Sequence, residues 1–123
     1  MRAINYIKPE SVFETLGLLQ EYGNRAKCIA GGTDIIIAMR YNTLPQQVAY
    51  LIDISSLKEL SEIREEGDEI IIGAGTTHTE IEENRLLQDF VPFLCSASRA
   101  VGSPQIRNRG TVGGNLVTSA QCA

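Results

Sequence analysis

Two short stretches have the residue types and order for binding chemistry. Residues 30–34 read Ala-Gly-Gly-Thr-Asp, between the apolar runs Cys28-Ile29-Ala30 and Ile35-Ile36-Ile37-Ala38-Met39. Residues 111–118 repeat the device, with Gly113-Gly114 between β-formers and Asn115, then Leu116-Val117-Thr118. Glycine has no Cβ, so a Gly-Gly pair reaches positive φ and lets a ligand approach the main chain. Successive exposed N–H groups then make an anion-binding nest, and a helix starting there adds partial positive charge. Thr33 and Asn115 can add hydrogen bonds to a phosphate or a ribose. Asp34, an anion, is better suited to capping main-chain N–H groups or holding a ribose hydroxyl. A single Gly-Gly is most often a plain tight turn. Two in matched context suggest two jaws around a diphosphate.

Neither pair fits the better-known phosphate cradles. No lysine follows in P-loop spacing, and the Gly-x-Gly-x-x-Gly fingerprint is missing. Gly73-Ala74-Gly75 imitates a dinucleotide turn but lacks its third glycine, and reads as a strand end entering a helix. His78, the single histidine, falls in the first turn of a predicted helix, where a surface or capping position is expected and no partner for general-base work is evident. The three cysteines, Cys28, Cys95 and Cys122, are far apart and form no Cys-x-x-Cys or Cys/His cluster, which argues against a disulfide framework or zinc site and fits a reducing cytoplasm. Cys122 reads as a small filler, and the acidic run 62–69 as a solvated hairpin face.

The elements that must position these loops can be read locally. Ala3 to Ile7 fits an edge strand. Ser11 with Glu14 is a capping-box signature, Val12, Phe13, Leu16, Leu19 and Tyr22 recur at helical spacing, and Gly23 is a C-terminal stop, which predicts a helix over 11–22. Residues 26–30 form a strand, Gly31-Gly32 a turn, and 34–39 a short helix. A strand follows at 47–54, a helical turn at 55–60, and a hairpin with strands 61–65 and 69–74 about a turn at 66–68. Thr77 with Glu80 opens a helix by a second capping box, and residues 90–102 form another, with Pro92 in its first turn and Gly102 near its end. Residues 103–110 read as a loop, and 111–118 start as a strand. The order is that of a mixed α+β chain, with a composition break near 56–62.

The chain has 123 residues, of which 43% are hydrophobic and 21% charged. That is the composition of an ordinary globular protein. No apolar run is long enough for a membrane span, and the N-terminus does not lead into a signal-peptide core. Through Asp89 there are 8 basic residues against all 15 acidic ones, a balance of −7; beyond it there is no acid and only Arg99, Arg107 and Arg109, a balance of +3. The acidic part argues against non-specific nucleic-acid binding. The acid-free part suits an anion. On charge alone, helix capping or a subunit contact explains its arginines equally well.

The segments 30–34 and 101–117, with 73–82 and 50–54 in order, carry a resemblance over essentially the whole chain. It resembles the FAD-binding subunit or domain of the molybdenum hydroxylases, which include xanthine, nicotinate and carbon monoxide dehydrogenases. The resemblance implies a two-lobed FAD-binding domain of the p-cresol-methylhydroxylase or vanillyl-alcohol-oxidase type. A small lobe would span 1–57, and 58–123 would begin a larger second lobe, truncated here. FAD would lie between them. By position, Lys27, Cys28, Ile29, Ala30, Gly31, Gly32, Thr33 and Asp34 would supply one loop, and Gly110, Thr111, Gly113, Gly114, Asn115, Val117 and Thr118 the other. In such enzymes electrons pass from molybdenum through 2Fe–2S clusters to the flavin and on to an external acceptor such as NAD+. Molybdopterin and the iron–sulfur clusters sit on partner subunits, consistent with the lack of a cluster-binding cysteine pattern. No residue of this chain need be an acid–base catalyst, since the flavin carries the redox chemistry.

The sequence departs from the family in two ways. Family members run considerably longer and continue past the second Gly-Gly with a small-residue turn and a ribose-contacting Asp, where residues 118–123 read Thr-Ser-Ala-Gln-Cys-Ala. The chain therefore reads as a fragment, inactive alone. Two other functions are weighed against the flavoprotein reading: a degenerate domain without flavin that serves as an assembly surface, and a small regulator that binds ADP or ATP.

Overall fold

The computed structural model describes residues 2–118; the expected filler position Cys122 lies outside them. The first half is a parallel sheet with helical crossovers. β1 (Asn5–Ile7), β2 (Ala26–Ile29) and β3 (Tyr50–Asp53) are arranged β1-β3-β2, both pairs parallel, with Ile52 of β3 opposite Ile7 on one side and Cys28 on the other. Parallel neighbours need a long connection. α1 (Val12–Tyr22) carries the chain from β1 to β2, and α2 (Ile35–Arg40) from β2 to β3. β3 is central, so Leu51, Ile52 and Asp53 are buried. The buried Asp53 carboxylate accepts from Tyr6 Oη–H and from Ser55 N–H, the latter at 2.9 Å.

α1 starts with half of the expected capping box. Ser11 Oγ accepts from Glu14 N–H at 3.0 Å, while the Glu14 carboxylate accepts from Glu10 N–H at 2.8 Å, one residue before the cap. Gly23 ends it at φ 53°, in the left-handed region that favours glycine. The buried face is only partly the expected one. Val12, Leu19 and Tyr22 are half-buried as expected, together with Leu18 and the buried Thr15, whereas Phe13 and Leu16 stand 88% and 59% exposed. Tyr22 stacks on Tyr50 with ring centroids 3.8 Å apart. α2 packs Ile35, Ala38 and Met39, one helical stripe, on a cluster of Leu44, Val48 and Leu51.

The second half starts with an antiparallel hairpin, β4 (Ile63–Glu66) and β5 (Glu69–Ile72). Its turn is the two residues Gly67-Asp68, shorter than expected, with Gly67 at φ 59°. A II′-type turn requires that conformation at its first central residue. Arg64 lies between Glu62 and Glu66 on the solvated face. Five helices follow: α3 (His78–Glu83), α4 (Arg85–Phe90), α5 (Pro92–Arg99), α6 (Pro104–Arg109) and α7 (Val112–Thr118). Ile81 and Leu87 are fully buried with Cys95, and Ile63, Ile70 and Ile72 of the hairpin pack against them. Each such aliphatic side chain contributes about 1.5–3 kcal/mol on burial.

The helices differ from expectation in three places. α4 is a separate helix, because Asn84 ends α3 and its Oδ1 also caps α4 by accepting from Leu87 N–H. Residues 104–109 are helical, since Ser103 caps Ile106 N–H and Pro104 takes the first helical position, where its missing N–H costs nothing. Residues 112–118 are a helix rather than a strand, and only Thr111 makes a β-bridge, to Thr77.

Candidate functional site

The turn after β2 and the segment entering α7 meet across the molecule. Gly31 and Gly32 have different reasons to be glycine. Gly32 sits at φ +77°, which a side chain rarely adopts. A Cβ on Gly31 would stand 2.1 Å from the Arg109 carbonyl oxygen and 3.0 Å from Gly110 N, so here the missing side chain admits the second segment's main chain. Arg109 Nε–H then donates to Gly31 O at 3.1 Å, and Thr118 Oγ1–H donates to Asp34 Oδ2 at 3.2 Å. These two bonds join the halves on either side of a cavity of about 390 Å³.

Main-chain amides divide sharply between the two walls. Among the described residues, no amide from Gly31 to Ile35 donates a hydrogen bond. Asp34 makes no side-chain cap to α2, which removes the capping alternative offered for it; its Oδ2 accepts from Thr118 Oγ1–H. The second Gly-Gly corrects the symmetric picture. Gly113 and Gly114 are in the first turn of α7, not in a bend. Gly113 N–H donates to Ala74 O (2.8 Å) and Gly114 N–H to Thr111 Oγ1 (3.1 Å), so neither is free for a ligand. A Cβ on Gly113 would lie 2.7 Å from Ala74, which accounts for that glycine by packing.

Every residue singled out from the sequence lines the cavity except Gly113. The sequence reading missed Ile35, Ile37, Val101, Ile106 and His78. His78 is the main correction: it is 5% exposed rather than superficial, and its ring packs beside Gly110, whose N–H and C=O are both bonded within the protein. Burial lowers its pKa from the ordinary 6.5, so the ring is held neutral. Burial likewise raises the Cys28 thiol, which keeps it protonated and unreactive. The arginines of the acid-free part are largely structural. Arg99 and Arg107 both reach Glu82, and Arg107 also donates to Val101 O and Gly102 O. No group of residues that could hold a metal is present among the described residues, and no helix there is long and apolar enough to cross a membrane.

A concave site of this volume, with one wall of unengaged amides and Lys27, Thr33, Asn115 and Thr118 around it, fits an anionic group with hydroxyl-bearing neighbours. Comparison with known proteins points the same way. The chain is 43% identical over 121 residues to the nicotinate dehydrogenase FAD-subunit of Eubacterium barkeri, which covers 98% of this chain and 40% of that protein. It is 33% identical to the xanthine dehydrogenase FAD-binding subunit of Escherichia coli O157:H7, over 97% of this chain and 40% of that one. Among solved structures, carbon monoxide dehydrogenase from Hydrogenophaga pseudoflava superposes with a TM-score of 0.88 at 37% identity, covering 94% of this chain and 39% of that one. The chain thus spans about 40% of the length of the curated relatives it matches. Residues 2–123 match the family described as FAD binding domain in molybdopterin dehydrogenase, and with that coverage the chain belongs to this family.

Proposed function

We propose that this chain holds the diphosphate of FAD on the amides of Gly31 to Ile35, as part of a flavin subunit in a molybdenum-containing dehydrogenase. The observation that carries this is the run of unengaged N–H groups facing residues 110–118 across the cavity. Five main-chain donors in one turn can neutralise a phosphate without a P-loop lysine. Lys27 adds positive charge at the rim, and Asn115, Thr118 and Asp34 suit the ribose hydroxyls. Ile35, Ile37, Val101 and Ile106 exclude water from the apolar wall. Bound flavin supplies the electron-carrying chemistry, and this chain supplies position and surroundings. In this reading residues 1–57 are the smaller lobe and 58–123 open the larger one, a division supported by the two separate apolar clusters. The lobes are of the p-cresol-methylhydroxylase type. Partner subunits carry the iron–sulfur clusters and the molybdopterin, an external acceptor such as NAD+ takes the electrons, and the complex works in the cytoplasm.

Flavin fluorescence tests the binding step. Titrating the chain with FAD should quench the fluorescence and saturate at one equivalent. Gly32→Val forces a β-branched residue to φ +77°, beside the Ile29 and Ile36 side chains. Such strain should abolish saturation. Unchanged FAD affinity in a folded Gly32→Val protein would refute the loop assignment.

A further inference from the structure

One polar side chain in the cavity wall is unexplained by packing. His78 is buried, and its Nδ1 is enclosed without any hydrogen-bond partner. A buried N–H without an acceptor is rarer and costlier than an unfilled acceptor lone pair. The proton of the neutral ring therefore belongs on Nε2. That nitrogen lies on the ring edge beside Gly110, 3.6 Å from where a Cβ on that glycine would stand. Gly110 N is in turn 3.0 Å from the Cβ position of Gly31, where the run of unengaged amides starts. One glycine thus separates the imidazole edge from the anion-binding turn.

We propose that His78 is a cofactor-contacting residue, donating from Nε2–H to the phosphate-bearing part of the bound nucleotide, and that the arriving anion lessens the cost of a second proton on the enclosed Nδ1, so that the ring titrates at higher pH when the nucleotide is bound. The inference rests on the FAD reading above and adds a residue and a proton linkage to it. In the free protein, burial favours the neutral ring. The unpartnered Nδ1 disfavours a second proton whether or not ligand is bound, whereas a phosphate beside Nε2 favours the charged form, so binding raises the midpoint from its lowered position. The neighbouring charges do not pre-empt this. On α3, Glu80 accepts from Thr77 N–H, Glu82 is held by Arg99 of α5 and Arg107 of α6, and Glu83 makes no bond to the ring. Arg109 of α6 donates to Gly31 O, and Asp34 accepts from Thr118. Cys28 and Lys27 share the cavity wall without bonding to the imidazole.

The chain has a single histidine, so its imidazole proton resonance reports on this ring without any substitution. The full chain is titrated with pH by NMR alone, with saturating FAD, with ADP, and with riboflavin, which lacks phosphate. The expected result is a midpoint raised by about one pH unit or more with FAD and ADP, and unmoved by riboflavin. Linkage then requires FAD to bind roughly tenfold tighter below the pH window than above it for each pH unit by which the midpoint rises, and His78→Gln to abolish that dependence. If FAD binds, as fluorescence shows, and the midpoint stays where it was, the His78 proposal is overturned while the cofactor reading stands. Failure of both FAD and ADP to bind overturns both.

Discussion

Replacing Gly31 by alanine tests the idea that the site is a seam between two halves. The added Cβ would stand 2.1 Å from Arg109 O and 2.6 Å from Arg109 C, and real Cβ contacts essentially never fall below 3.0 Å. The obstructing atoms are main chain, so no side-chain rotation relieves the clash, and the two segments must part by about 1 Å in a close-packed region. Gly31 is not at positive φ, so the cost comes from the contact and not from backbone conformation. Overpacking costs about 1–3 kcal/mol. Loss of the Arg109–Gly31 hydrogen bond adds about 0.5–1.5 kcal/mol. The sum, about 1.5–4.5 kcal/mol, is a large share of the roughly 5–15 kcal/mol typical of a domain. Urea unfolding measures it, with FAD titration alongside. Gly17→Ala is the control: nothing lies within 4 Å of its Cβ position in α1. Alanine there should stabilise by about 0.5–1 kcal/mol. A Gly31→Ala protein within about 0.5 kcal/mol of the parent, a normal surface-substitution range, and with unchanged FAD affinity would refute the seam.

Two further outcomes depend on local physics. Thr77→Ala removes the side-chain half of the α3 capping box and should cost about 1 kcal/mol, read from the urea midpoint at unchanged slope. Because the folded-state pKa of His78 lies below its unfolded value of 6.5, the unfolded chain binds more protons in that window. The stability contributed by the neutral ring is complete above pH 6.5 and is lost as pH falls through 6.5 towards the lowered folded value. Unfolding of His78→Gln should show a flatter dependence over the same range.

Features written into a few neighbouring residues were legible from the sequence. The box at Thr77, the side-chain cap at Ser11, the stop at Gly23 and the hairpin about Gly67 depend only on residues within one turn, and each forms, although the return half of the box expected at Ser11 goes to Glu10 N–H instead. α2 forms as well, despite three isoleucines that favour a strand, because as a helix its partly buried Ile35, Ala38 and Met39 stripe packs on Leu44, Val48 and Leu51. What was not legible depends on distant partners. Ser103-Pro104 looks like a breaker unless proline is allowed the first helical position. Gly113-Gly114 looks like a bend, but the Ala74 carbonyl and Thr111 Oγ1 hold it in a helical turn. His78 looks superficial because the residue that covers it, Gly110, is far along the chain. Phe13 and Leu16 share helical spacing with the buried residues of α1, and their exposure reflects where the sheet lies, which periodicity does not encode. The two candidate loops do line one cavity, yet the symmetry between them is not real: one presents free amides and the other is a brace.

The bond from Arg109 to Gly31 joins residues 78 positions apart, and this sets when the cradle can exist during synthesis. The three-stranded sheet needs only residues up to Asp53, so it can organise while the ribosome is still translating the second half. Until residue 118 has emerged from the exit tunnel, the nascent turn has no opposing wall and its bare amides face water. In the proposed reading, completion of the cofactor site is thereby deferred to a late step of folding.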